Sequence, residues 1–158
     1  MRARETGAKT FGSKVFPKFL MKILLPIALV ALPPAVQAQH IGDCDSWQAS
    51  ARNVDWSDPT RTFANGDVRL VGLDTGAPEM GAFHILLTYP HPDGEGMDCR
   101  LISADENTGY AMISLRRATA RYDSLRGLTI GIPGTDPEGD PVLIEVVLNR
   151  ATGEVTLP

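Results

Sequence analysis

The sequence predicts a mostly β fold: a single antiparallel β-sandwich or barrel-like domain of about six to seven short strands, with one short helix near its start. Three observations carry this expectation. Residues 83–89 (FHILLTY) and 142–148 (VLIEVVL) are β-branched and apolar, and too short for helices that could stand alone. Between such runs lie clusters of Gly, Pro, Asn and Asp, the residues that reverse a chain. No strand alternates with a long amphipathic helix, which argues against a doubly wound nucleotide fold.

Taken in order, residues 39–45 read as an extended arm held by Cys44. Ser46 is placed to cap a short helix through Arg52, with Asp45 at its positive end. Ser57-Asp58-Pro59 is a turn and Asn65-Gly66 a hairpin turn. Residues 67–73 form a strand with Val68 and Leu70 on one face. The nearly continuous apolar run 83–89 suits a central strand covered on both faces. After the loop 90–98, strands follow at 100–103, 110–115, 128–132, 142–148 and 154–157. The last two flank Asn149-Arg150-Ala151-Thr152-Gly153, a hairpin loop with glycine placed for a left-handed bulge. Residues 114–126 admit two readings. Leu115, Ala118, Tyr122 and Leu125 recur at helical spacing, while Ala118, Ala120 and Tyr122 alternate with Arg117, Thr119 and Arg121 as in a β-hairpin. Trp47, Trp56, Phe63 and Tyr110 are expected in the core, since aromatic residues are few.

The region ahead of this domain, residues 1–38, reads as a secretory signal. A ten-residue apolar core from Ile23 to Leu32 follows Met21-Lys22 and ends at Pro33-Pro34, and Val36-Gln37-Ala38 offers small residues for cleavage. The core is half the length a membrane-spanning helix needs, roughly 20 residues, so no span is expected after cleavage. Met21 reads as the true start, because residues 1–20 add basic charge without apolar periodicity. Residues 39–158 then form one exported domain, periplasmic or secreted, with nine arginines, no lysine, eighteen acids and a net charge of −9. That balance disfavours nucleic acids and anionic lipid surfaces. The two cysteines, Cys44 and Cys99, would oxidise to a disulfide in such a compartment.

Candidate chemistry is sparse. Asp93, Glu95 and Asp98 sit in a glycine-rich loop and could offer oxygens to Ca²⁺. His40, His84 and His91 are the imidazoles available to copper, with His40 second after the expected cleavage. Arg116, Arg117, Arg121 and Arg126 make the one basic run, suited to an acidic partner or to pairing with acids such as Asp123. There is no Gly-x-Ser-x-Gly elbow and no phosphate-binding glycine loop.

One short motif has a family likeness. Asp74-Thr75-Gly76, entered by the strand VRLVG, resembles the signature of retropepsin-type aspartic proteases, whose single-domain members build their site across a homodimer. The resemblance implies that Asp74 supplies one carboxylate from each subunit, that Thr75 buttresses the loop, and that Gly76 permits the tight turn. Two carboxylates sharing a proton would activate water. Ile130-Gly131 answers in part to the family's downstream apolar pair before glycine.

The favoured functional expectation is a non-catalytic binding, accessory or envelope-associated domain, with no cofactor and a protein or small ligand as partner. The dimeric protease using Asp74 is the alternative, and a calcium- or copper-binding module the third. The sequence does not set the oligomeric state.

Overall fold

The computed structural model describes residues 39–77 and 81–158. The signal region and the start at Met21 lie outside the described residues. Among the described residues ten strands are formed: β1 (His40–Gly42), β2 (Thr60–Phe63), β3 (Val68–Asp74), β4 (Phe83–Pro90), β5 (Met97–Ser103), β6 (Met112–Ile113), β7 (Thr119–Asp123), β8 (Gly127–Thr135), β9 (Pro141–Asn149) and β10 (Glu154–Thr156). That is more than the six or seven expected, because short edge strands join at β1, β2 and β7. Together the ten make two antiparallel sheets. The first has the order β1-β5-β4-β3-β2; the second runs β10-β9-β8-β6, with β7 also paired to β8. The expected sandwich is what forms.

Alternation explains the core. Val68 and Leu70 of β3, Ile85, Leu87 and Tyr89 of β4, and Ile102 of β5 share one face of the first sheet. They meet Leu128, Ile130 and Ile132 of β8 and Ile144, Val146 and Leu148 of β9. Ile113, Leu115 and Ala118 complete the cluster from the segment joining β6 to β7. Each such side chain, fully buried, contributes about 1.5–3 kcal/mol.

The strand β4 lies at the middle of its sheet and is covered on both faces, as its hydrophobic run requires. On the outward face the segment 44–54 is anchored at both ends. Cys44 is bonded to Cys99 on β5, whose side chain faces away from the core because Cys99 pairs with Thr88. Ten residues later Val54 bridges Leu73 on β3, and Asp55 donates its N–H to the Gly72 carbonyl at 2.8 Å. The segment therefore straps the outward face of the sheet from β5 to β3, crossing β4. Leu73, His84, Leu101 and Ser103 are buried yet stand apart from the main core.

Several local expectations resolve here. The helix expected from Ser46 to Arg52 is two separate 3₁₀ turns, Trp47–Ala49 and Ala51–Asn53. Ser46 makes no capping bond, and Asn53 instead ties the strap together by donating to the Trp47 and Gln48 carbonyls, both at 3.0 Å. Residues 114–126 take the hairpin reading, with a single 3₁₀ turn at Leu115–Arg117 leading into β7. The strand expected over 110–115 is a crossover. Tyr110 bridges Phe83 in the first sheet, and Met112 two residues later pairs with Thr135 in the second. The 149–153 loop closes as expected, Gly153 at φ +72° donating to the Asn149 carbonyl at 2.8 Å. The tryptophans do not enter the core: Trp47 is 58% exposed and Trp56 80%. Tyr110 and the unanticipated Tyr89 fill it, while Phe63 packs at its rim.

Candidate functional site

Asp74 ends β3 opposite Phe83, and its loop is organised from within. The carboxylate accepts the Gly76 N–H at 2.8 Å, while the Thr75 N–H and hydroxyl both donate to the Ala82 carbonyl, at 3.0 and 3.1 Å. Gly76 takes φ +72°, which its lack of a Cβ permits. The motif thus closes the mouth of the β3–β4 connection. Asp74 and Gly76, with Ala82, Phe83 and Ala111, line a cavity of about 380 Å³. Among the described residues of that lining Asp74 is the sole carboxylate. Ile130-Gly131 lies elsewhere, within β8 of the other sheet, where Gly131 stands between Thr119 and Glu145.

The acidic loop after β4 gathers around a histidine. His91 Nδ1 lies 3.7 Å from Asp93 Oδ2 and its Nε2 4.0 Å from Asp98 Oδ2, and Asp93 returns its N–H to Nδ1 at 3.2 Å. Glu95 is exposed and joins no such grouping. Among the described residues, the group of three ligand atoms that converges within 4.8 Å is Asp43, Cys44 and Asp45, and the Cys44 sulfur is held in the disulfide. Asp93, Glu95 and Asp98 do not converge in this way.

The histidines are dispersed. Seven residues of extended strand, roughly 23 Å, separate His84 from His91, so one ion cannot take both. His84 is buried on the outward face of β4, its Nδ1 2.7 Å from the Ser103 hydroxyl on β5. His40 flanks Ser103 from β1 in the same row. Burial lowers the His84 pKa from its ordinary 6.5, because the charged ring would lose its hydration. A serine beside an imidazole resembles a nucleophile with its base. Both groups here are nonetheless only 3% exposed, and the Gly109 backbone presses against Nε2. The pair is sealed from substrate. Composition gave no hint of it, since Ser103 is one serine among many; only the strand register joins it to His84.

The basic run is partly spent. Arg116 donates its backbone N–H to Asp58 at 3.0 Å and its guanidinium to the Ser57 carbonyl at 3.3 Å. Arg117 Nε reaches the Ser114 hydroxyl at 3.2 Å, and Arg121 pairs with Glu145 at 3.6 Å. Asp123 serves its own turn, accepting the Arg126 and Leu125 N–H groups, which lowers its pKa. The whole stretch 119–126 is exposed, although its ladder partner is buried at Gly127–Ile130. Tyr122 is 72% exposed and Leu125, at the hairpin tip, 92%.

The outer face of the second sheet is also open. Thr119, Arg121, Thr129, Gly131, Leu143 and Glu145 line a hollow of about 150 Å³. A larger one of about 360 Å³ lies beside it, formed by Leu125, Arg126, Val147, Asn149, Glu154 and Thr156, with Pro158 at its rim. Among the described residues no helix is long and apolar enough to cross a membrane. Set against protein-family models, curated proteins and solved structures, the chain matches none.

Proposed function

We propose that residues 39–158 are a single-domain, exported, non-catalytic binding module whose working surface is the open side of the second sheet. The observation that carries this reading is the exposed arm 119–126, a strand and hairpin tip bearing Tyr122 and Leu125 in water beside an otherwise closed core. Exposed apolar side chains gathered in one patch, rather than scattered singly, mark contact surfaces. The disulfide supports a periplasmic or secreted setting, where such bonds persist. Asp74, Asp105, Asp123 and Asp136 each bind backbone N–H groups of their own turns, which fits structural carboxylates better than a general acid and base.

A second reading, the dimeric aspartic protease, is favoured by one observation: Asp74 stands at an open cavity of about 380 Å³. Incubation with casein from pH 3 to pH 7, and with short-chain p-nitrophenyl esters, separates the two. Binding-module chemistry gives no turnover above buffer. Proteolysis lost in Asp74→Asn would establish the protease, and ester cleavage lost in Ser103→Ala would defeat the non-catalytic reading by another route.

A further inference from the structure

We infer that the partner of this surface is an extended acidic polypeptide segment, alternating acidic and apolar side chains, that adds to the free edge of β7 as a further strand. The inference rests on the binding reading above and names its occupant. Among the described residues β7 has one ladder partner, β8, so its far side presents unpaired backbone N–H and carbonyl groups. Two of the usual protections of an edge, a proline and a bulge, are missing, and all five residues are exposed, leaving charge as the guard. By register Ala120 and Tyr122 share the face of the core residues Ile130 and Leu128, yet both are exposed. The second sheet extends one strand beyond what the first sheet covers. A strand laid beside β7 would satisfy the ladder and set its own side chains against Ala120 and Tyr122.

Charge selects the partner. The domain carries −9 overall, but Arg116, Arg117, Arg121 and Arg126 fall within eleven residues; the one acid among them, Asp123, is committed to its own turn, and Asp58 and Glu145 offset Arg116 and Arg121 only in part, at 3.7 and 3.6 Å. An acidic segment is drawn to this edge, while a basic one is repelled. A second copy fits less well, because two-fold pairing of β7 sets one arginine cluster against the other and brings two domains of −9 together. Strand addition draws affinity from the backbone and specificity from alternate side chains. Acidic groups would lie beside Thr119 and Arg121 on the outer face, and apolar groups beside Ala120 and Tyr122 on the inner, about 6.6 Å apart along each face.

The test is a titration of the purified protein against fluorescein-labelled peptides of about eight residues. One alternates glutamate with valine, one alternates lysine with valine, and a third is the glutamate peptide with its backbone N-methylated. The glutamate peptide should bind at least about tenfold tighter than either control, and weaken as salt rises from about 50 to about 200 mM. The double variant Arg117→Glu/Arg121→Glu should reverse the preference toward the lysine peptide, with an unchanged melting temperature as the control for folding. Equal or absent binding of all three peptides overturns the inference. Retained binding of the N-methylated peptide overturns strand addition in favour of charge alone. A concentration-dependent dimer lost in Arg121→Glu, without peptide binding, assigns the edge to a second copy and overturns the acidic partner. None of these failures produces turnover, so they leave the non-catalytic reading to its own assay.

Discussion

Removing the Cys44–Cys99 bond tests how this small domain holds its strap. The bond closes a loop of 55 residues that contains β2, β3, β4 and the first part of β5. Closing a loop of that length restricts the unfolded chain by about 14 cal/mol/K, or about 4 kcal/mol at 25 °C. A domain of about 120 residues unfolds with an entropy near 0.25 kcal/mol/K, so this loss corresponds to a fall in melting temperature of roughly 16 °C. The variant is Cys44→Ala/Cys99→Ala, which leaves no thiol to react. Scanning calorimetry of both proteins reads the shift.

The strap sharpens the expectation. Its far end is retained by the Val54–Leu73 bridge and the Asp55 N–H bond, so the segment can stay in place without the sulfurs. The loss should then be global, and amides of β4 should exchange through whole-domain unfolding in both proteins. A fall of less than about 5 °C would refute the chain-entropy argument. Fast exchange confined to β4 and β5, with the melting temperature held, would instead show that the bond acts only by pinning the strap.

Two further perturbations probe the polar row beneath the strap. Burial depresses the His84 pKa, so below its ordinary 6.5 the unfolded chain takes up a proton that the folded protein resists. Its contribution is intact above pH 6.5 and falls as pH drops, by up to about 1.4 kcal/mol per pH unit until the depressed value is reached. Urea midpoints at pH 7.5 and pH 5 should therefore diverge more in the wild type than in His84→Gln; equal slopes would count against it. The lowered Asp105 and Asp123 pKa values act only below their ordinary 3.8, outside that window. Gly109→Ala would set a Cβ 2.5 Å from the Phe83 carbonyl oxygen and 2.9 Å from His84 Nε2, against a backbone fixed by the Phe83–Tyr110 bridge. It should cost about 1–3 kcal/mol or more in denaturant melts. The control, Gly94→Ala at φ +78° in open space, should lose only the roughly 1–2 kcal/mol of a left-handed residue. Matching losses would remove the crowding argument.

What the sequence made legible followed from period and turn chemistry. The alternation in 67–73, the β-branched apolar run 142–148 and the glycine of 149–153 located β3, β9 and the last hairpin, and the doubly apolar run at 83–89 marked β4 as central. The rest depended on partners distant in the chain. Short β1 and β2 have little apolar character and exist because β5 and β3 offer them edges. Trp47 and Trp56 read as core by size alone, but they ride on the strap and its exit loop, outside the sandwich. His84 and Ser103, nineteen residues apart, become a pair only through the β4–β5 register.

The two sheets are unequally covered, and the difference confines where a partner can act. The first sheet has the core on one face and the strap running from β5 to β3 on the other, and its central polar pair, His84 with Ser103, is buried. Among the described residues the second sheet has the core on one face and no strap on the other; in its outer row Thr119, Arg121 and Leu143 meet solvent, Gly131 and Glu145 are half-buried and Thr129 is buried. Its β7 edge is bare on both faces. A domain of this size could cover that edge at small expense with a loop or a proline, as edge strands commonly are covered. Leaving it open exposes Tyr122 and a row of backbone groups to unwanted pairing, and the arginines oppose basic and neutral strands better than acidic ones. If the edge is the docking site proposed above, the same charges that guard it also select what docks there, which makes the preference between acidic and basic peptides the measurement with most bearing on that proposal.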